Sequence, residues 1–363
     1  MTTGASSPPF YFVLRTSFSL LIAPSTYVLM LRQDRSGWSG CPDIILCGTA
    51  PPSDPSAFTT ASGYGTDYGA TVFMEKANYV YLRALNTTSG PATGSAWIYY
   101  AESDLALWPS KWQKANIQVG GMTMNNQPIV ATEGNQVCVT SRPFVWTPPQ
   151  FQTQSGDDHY CVVSWMDDPP HEDPSWTPLS DIPTFTVFDD LVDFILKHPN
   201  MGWRNTVDVS GLGPQWSQTI AITGPVAGGQ FQVGVQWHNM PTDGGTISYS
   251  IPGGPDGNPP PVNTKAIPIY ASDAAPMTPV TWPANFASSI SITYTQGETP
   301  PPKGAYIAPA VNLPADQMRA STLRLARELQ PGGFRKVEVV DALGRRVGDE
   351  DEVFCIGSTP YRF

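Results

Sequence analysis

Between Pro143 and Leu196 the chain carries ten acidic residues and no lysine or arginine: Asp157, Asp158, Asp167, Asp168, Glu172, Asp173, Asp181, Asp189, Asp190 and Asp193. The whole chain sets 20 Lys+Arg against 31 Asp+Glu, a net −11, so this one segment supplies −10 and the rest is nearly balanced. Within it, Asp167, Asp168, His171, Glu172 and Asp173 crowd a loop stiffened by two prolines. Oxygen donors of this kind are what a hard cation such as Ca²⁺ takes. The spacing has no central glycine and no regular alternation, so it matches no calcium-loop motif. The plainer reading is a solvated acidic loop, and a third is docking onto a basic partner. The chain holds one candidate for that partner itself. Arg319, Arg324, Arg327, Arg335, Lys336, Arg345 and Arg346 cluster near its end, followed by four consecutive acids from Asp349 to Glu352.

Aromatic side chains form the second candidate site. Trp97, Tyr99, Tyr100, Trp108 and Trp112 fall within sixteen residues. Exposed on a sheet face, Trp97, Tyr99, Trp108 and Trp112 could stack on sugar rings, because an apolar disc with a polar tip suits a pyranose. Packed inward, the same rings would fill the space between two sheets. His159 and Cys161 share one strand face but stand about 7 Å apart at the backbone, on roughly 3.3 Å per residue. That suits a core cysteine beside a hydrogen-bonded histidine better than a nucleophilic pair. No nucleophile elbow, phosphate loop or H-E-x-x-H occurs. The five cysteines lack a C-x2-C pair; Cys41 with Cys47, or Cys138 with Cys161, could bridge in an oxidising compartment or remain buried thiols.

The elements that must position these residues are strands. Only 14% of the 363 residues are charged, with 32 Gly and 38 Pro, which disfavours helical bundles and coiled coils. Forty per cent hydrophobic residues, with 11 Trp, 14 Tyr and 15 Phe, disfavours disorder, and the absence of a basic run disfavours nucleic acid as a partner. Apolar and hydroxyl or amide residues alternate over 230–237, 246–251 and 289–295, the pattern of half-buried antiparallel strands. More continuous apolar strands are expected at Thr26–Leu31, Asn78–Leu85, Ala96–Ala101, Gln136–Thr140 and His159–Trp165. Helical spacing appears over Thr186–His198, stopped by Pro199, and over Ala315–Leu329, stopped by Pro331-Gly-Gly. The apolar stretch 10–30 is interrupted by Arg15 and Pro24, with no basic residue before it, so it reads as core strand rather than signal or anchor. No other stretch approaches membrane-spanning length.

The expected fold is mainly β: two antiparallel β-sandwich domains, 1–200 with a closing helix at 186–198 and 201–313, and a small α+β appendage, 314–363, behind the linker Thr299–Lys303. One stretch carries a resemblance. Tyr81, Arg83 and Asn86, then Gly90, Ala92 and Gly94, follow a Val-x-Val-x-Asn-x-Gly-x-Ala-x-Gly pattern of two successive strands, with Thr87-Thr88 where a glycine is usual. In this the segment Asn78–Ala101 resembles immunoglobulin-like adhesion modules of bacterial surface and secreted proteins. Over roughly 38–205 the chain resembles uncharacterised bacterial proteins of similar layout. The resemblance implies an immunoglobulin-like fold and is nearly silent on activity.

Together these features favour a non-enzymatic structural or adhesive binding module, part of a larger assembly, with a protein partner or self-assembly as its mode of action. It would be made in the cytoplasm and then exported non-classically or built into a particle. A lectin-like protein using the four aromatics is the first alternative. A membrane-active toxin is the second, suggested by the hydroxyl-faced strands of 246–295. Enzyme is the poorest reading.

Overall fold

The alternating run at 246–251 forms the strand Thr246–Ile251 in a computed structural model describing residues 27–32, 40–150, 159–173, 175–206 and 213–363. It lies in an antiparallel sheet with Gln215–Thr223 and Ala287–Thr295, extended by the short strands Val262–Asn263 and Ile267–Pro268. Ile220, Ile222, Ile247, Tyr249, Ile251, Ile290, Ile292 and Tyr294 point to one side and are buried. Side chains between them face outward. Burying one face and wetting the other is what the period-2 sequence dictates.

Opposite this sheet, five strands close on themselves. Gly229–His238 pairs with Pro276–Trp282, which pairs in parallel with Phe334–Val340; that strand pairs with Arg346–Ser358, then Tyr306–Pro314, which returns to Gly229–His238. The result is a small barrel, with Tyr361–Arg362 added at one edge. Met277, Ala310, Val337 and Val353 fill its interior, while Phe231, Val233, Val235 and Trp237 face the sheet. This corrects the expected boundary at 314. The C-terminal residues supply two of the barrel's five strands instead of forming an appendage. Their charged residues are shared between the helix Ala320–Leu329, a turn and the two strands, and mark no separate domain. The four acids Asp349–Glu352 also do not interrupt the chain's extended course: Arg346–Ser358 is one strand.

In the N-terminal module, the strand Asn78–Asn86 pairs with Leu29–Met30, Ile44–Leu46, Val137–Val139 and Phe144–Trp146, the last continuing to Ile117–Val119 and Met122–Thr123. A second sheet runs Met201–Asn205, Tyr160–Asp167, Ala92–Glu102, Asn126–Ala131. Leu29, Val80, Leu82, Phe144 and Trp146 from the first meet Ile98, Tyr100, Tyr160, Val162 and Met166 from the second in a common core. Since Met201–Asn205 pairs with Tyr160–Asp167, the first module extends past residue 200. The expected strand in 10–26 lies outside the described residues.

The helix predicted at 186–198 spans Phe188–Lys197 and ends before Pro199. It covers the outer face of the second sheet, packing Leu191, Val192 and Phe194 with Trp97, Tyr99, Val163 and Trp165. That core is continuous with the one between sheet and barrel of the C-terminal module. The second helix occupies Ala320–Leu329, after a short 3-10 turn at Ala315–Gln317. Among the described residues no helix is long and apolar enough to cross a membrane.

Candidate functional site

The four candidate sugar-stacking rings converge on the junction between the modules, but inward. Trp97 is 7% exposed, Tyr99 0%, Trp108 4% and Trp112 8%. Trp108 stacks on Phe188 with ring centroids 5.2 Å apart, Tyr99 lies 5.9 Å from Trp112, and Trp97 meets Trp176 edge-on at 6.1 Å. The ring faces a pyranose would need are occupied by protein. For Trp97 and Tyr99 the reason is the strand Ala92–Glu102, buried on both faces, one against the facing sheet and one against the helix and the second module; Trp108 and Trp112 flank the short turn Pro109–Lys111 that packs into the same core. An open cleft of about 360 Å³ runs beside Trp108 and Trp112, walled by Ile182, Pro183 and Val226.

Polar groups weld the same junction. The buried Asp104 accepts hydrogen bonds from the backbone N–H of Ala106 (3.0 Å) and Thr223 (3.0 Å), from the Thr223 hydroxyl and from Lys111 Nζ (3.2 Å). Trp108 Nε1 donates to the Thr223 carbonyl at 2.9 Å. On the far side, a Cβ added to Gly357 would stand 1.7 Å from the Leu105 carbonyl oxygen, so the C-terminal strand touches the first module there by lacking a side chain.

The acidic segment is likewise engaged within the chain. Asp168, 7% exposed, accepts from the N–H groups of Val28 (2.9 Å) and Leu29 (2.5 Å), pinning the strand Leu29–Met30. Burial nevertheless pushes its carboxyl up to about 6, outweighing those two bonds. Asp167, also raised by burial, accepts from His171 N–H at 2.8 Å; His171 stacks on Trp176 at 4.6 Å. Asp173 accepts from the Ser175 backbone and hydroxyl, which hold its pKa down. Glu172 is exposed. Thus the five proposed cation ligands, Asp167, Asp168, His171, Glu172 and Asp173, are spread over separate local contacts. Among the described residues no three His, Cys, Asp or Glu side chains gather as a metal would require. Asp157 and Asp158 lie outside the described residues.

Part of the acidic run does meet the basic one. Asp189 accepts from the Arg319 N–H (3.2 Å), the Arg319 guanidinium and the Thr322 hydroxyl (3.2 Å), capping the helix Ala320–Leu329 from outside. Asp190 pairs with the same guanidinium at 2.9 Å, and Asp193 with Lys197 at 2.6 Å.

His159 and Cys161 do not form a pair. The imidazole Nε2 is 2.8 Å from Ser103 Oγ, and the thiol donates to Asn205 Oδ1 at 2.9 Å, all in buried surroundings. The five cysteines are free thiols; burial raises Cys47 to about 11 and Cys138 to about 12, so both are neutral small apolar groups near pH 7.

One polar arrangement escaped sequence reasoning, and a second was read only in part. Asp43 and Arg83, each 0% exposed, form an ion pair at 2.8 Å, and Arg83 also donates to the carbonyls of Phe58, Gly63 and Pro42. The other is a flat hydroxyl array on the outer face of the five-stranded sheet. Ser217, Thr293 and Ser248 align across three strands, as do Thr219, Ser291 and Ser250. Cross-strand hydroxyl contacts of 3.0 Å (Ser217–Thr293) and 2.8 Å (Thr219–Ser291) order the rows. Gln215, Thr295 and Thr246 continue the pattern, and no charged residue interrupts these strands' outward positions. The alternation predicted a hydroxyl face; its alignment into rows required the register.

The motif residues of the strand pair Asn78–Asn86 and Ala92–Glu102 have local roles. Asn86 Nδ2 donates to the Gly90 (2.7 Å) and Glu133 (2.9 Å) carbonyls, fixing the turn. Gly94 permits close approach, since a Cβ there would lie 2.7 Å from the Leu29 side chain and 2.8 Å from the Asp167 carbonyl.

No family model matches the chain, and no curated protein matches it. Among solved structures, red sea bream transglutaminase aligns at 11% identity over 67% of this chain, which spans 28% of that protein, with a TM-score of 0.16. A structure of manganese lipoxygenase of Gaeumannomyces graminis with part of zonadhesin of Komagataella pastoris aligns at 10% identity, over 88% of this chain and 95% of that one, with a TM-score of 0.15. Similarity at this level carries no argument for fold or activity.

Proposed function

We propose that the protein is a non-enzymatic structural module that binds protein surfaces in a larger assembly, with the hydroxyl-lined outer sheet face as its contact surface. The observation that carries this reading is the charge-free face itself, on a chain of net −11. A free protein surface ordinarily intersperses charges of both signs, which keep molecules apart. Short hydroxyl side chains lose little rotamer freedom on contact and present no charge to strip of water, so such a face is cheap to cover. The welded junction supports it: Asp104, Trp108 and Gly357 hold the two modules as one body, suited to a load-bearing piece.

The test is mass measurement by light scattering across a wide concentration range, with the double variant Ser291→Lys/Thr293→Lys. The intact chain should gain mass with concentration, and the variant should remain monomeric with an unchanged thermal midpoint. A strict monomer whose cross-links in its native source avoid this face would refute the proposal.

A further inference from the structure

Gln215–Thr223 is the border strand of the five-stranded sheet, and part of its open side is already in use. Ala221 and Asp104 form a parallel bridge, with the Ala221 carbonyl accepting from the Leu105 N–H at 3.1 Å. Thr223 donates its N–H to Asp104 Oδ1 at 3.0 Å, and its carbonyl accepts from Trp108 Nε1 at 2.9 Å. A piece of the first module thus lies along this border as a neighbouring strand would. Main-chain groups alternate sides along a strand, so Gln215, Ser217 and Thr219 direct their N–H and C=O the same way as Ala221 and Thr223. Among the described residues these outward main-chain groups have no hydrogen-bond partner, and Gln215 and Ser217 are exposed.

Folded proteins ordinarily protect such borders with charge, proline or very short strands. The opposite border of the same sheet consists of the two-residue strands Val262–Asn263 and Ile267–Pro268, and Asn263 donates to the Ala342 carbonyl at 2.9 Å. Asn126–Ala131, a border strand of the N-terminal module, carries Pro128. Gln215–Thr223 has neither charge nor proline over nine residues. Its inner side adds an apolar feature, because Trp216 is half-buried, with its ring 4.7 Å from that of Tyr361.

A second copy does not fit this border. In an antiparallel pair centred on Ser217, Ala221 of one copy would stand opposite Gly213 of the other, in the place that Leu105 holds. A single extended segment that ends or turns away at Leu105 meets no such obstacle. Along Gln215–Thr219 it could form about six main-chain hydrogen bonds, with an apolar side chain beside Trp216 and small uncharged ones beside Ser217 and Thr219.

We propose that the open border Gln215–Thr219 accepts an extended, uncharged segment of a partner protein as an added strand, its apolar residues facing in and its hydroxyl residues out. The proposal rests on the assembly reading only for the partner being a protein; the border is a contact separate from the hydroxyl face.

The experiment adds to the intact chain an acetylated and amidated peptide, Thr-Ile-Ser-Tyr-Ser-Ile, which repeats the alternation of Thr246–Ile251, and follows main-chain hydrogen exchange. Exchange should be rapid at Ser217 and Thr219 in the free chain and slower by roughly tenfold or more with the peptide, while Ile220 stays unchanged. A fluorescently labelled peptide should bind saturably by anisotropy, and the same peptide N-methylated along its bonding side should not. Ser217→Pro removes a border N–H that no internal bond uses, and should abolish binding with an unchanged thermal midpoint. Should that variant unfold, the N-methylated peptide still decides. Ser291→Lys/Thr293→Lys should bind the peptide as the intact chain does, so failure of self-association through the hydroxyl face leaves this result standing. Slow exchange at Ser217 and Thr219 in the free monomer would mean that the chain covers its own border. That outcome, no protection by the peptide, undiminished binding in Ser217→Pro, or equal binding of the N-methylated form would overturn the proposal.

Discussion

Replacing Arg83 by methionine should destabilise the N-terminal module more than any change at Arg32, the second cation on Asp43. Arg83 and Asp43 are both 0% exposed and 2.8 Å apart. Removing one member of a buried ion pair generally costs about 3–5 kcal/mol, because the survivor remains charged in a poorly solvating interior. Two further features adjust that range. Arg83 also donates to the Phe58 (2.9 Å), Gly63 (2.8 Å) and Pro42 (3.0 Å) carbonyls, which would lose a partner. Against this, Arg32 contacts Asp43 at 2.7 Å and would still neutralise it. Arg83→Met should therefore cost about 3 kcal/mol, the low end of the range for a broken buried pair. Arg32, whose side chain is 32% exposed, should cost about 1 kcal/mol on truncation to alanine, as for pairs near the surface. In the Arg32→Ala background the Arg83 change should cost more than alone, because Asp43 then has no cation. Urea unfolding followed by tryptophan fluorescence would give these differences. Limited proteolysis should show the segment Pro55–Gly65, whose carbonyls Arg83 holds, becoming cleavable first. A loss below 1 kcal/mol for Arg83→Met, or a larger loss for Arg32→Ala, would refute the account.

Other perturbations test the remaining contacts. Asp168 has its carboxyl raised to about 6 in the folded chain, so the native state keeps that proton to higher pH than the unfolded state does. Its contribution should be most favourable below about pH 4 and decline as pH rises to about 6; Asp168→Asn, compared with wild type in urea melts at pH 4, 5, 6 and 7, should remove that slope, and parallel profiles would refute it. Gly357→Ala places a methyl 1.7 Å from the Leu105 oxygen, so the strand must shift. The expected loss is about 1–3 kcal/mol with raised hydrogen exchange at Leu105 and Thr223, and wild-type exchange there would contradict the weld. Asp189→Ala removes both the cap on Ala320–Leu329 and the Arg319 contact; about 1–2 kcal/mol should be lost, little relieved by salt because Asp189 is only 10% exposed, whereas a neutral result would mean the acidic and basic segments touch without holding each other.

What could be read in advance was whatever depends on nearest neighbours along the chain. Ile247, Tyr249 and Ile251 alternate with Thr246, Ser248 and Ser250, and that local rule alone gives the strand and its two faces. The helix Phe188–Lys197 follows equally from spacing and Pro199. Sequence could not choose between the exposed and the inward reading of Trp97 and Tyr99, because Ala92–Glu102 is buried on both faces. A strand buried twice loses the alternation that distinguishes a core ring from an exposed one. The C-terminal boundary was misjudged for a related reason: Val337 and Val353 enter the barrel interior from two strands that also carry many charged residues, so composition marked a domain that closure abolishes. Charge asymmetry pointed to the right residues at Asp189 and Arg319, 130 positions apart, but could not choose a partner within the chain over one outside it. Closure also explains why the most specific polar groups, Gln232 with Asp351 and Asp43 with Arg83, carry no sequence signal. Each pair joins residues 119 and 40 positions apart, and each member alone is an ordinary residue in an ordinary strand or turn. Polar pairing in this fold is made by register between distant strands, and so becomes legible only when the strands are seen paired.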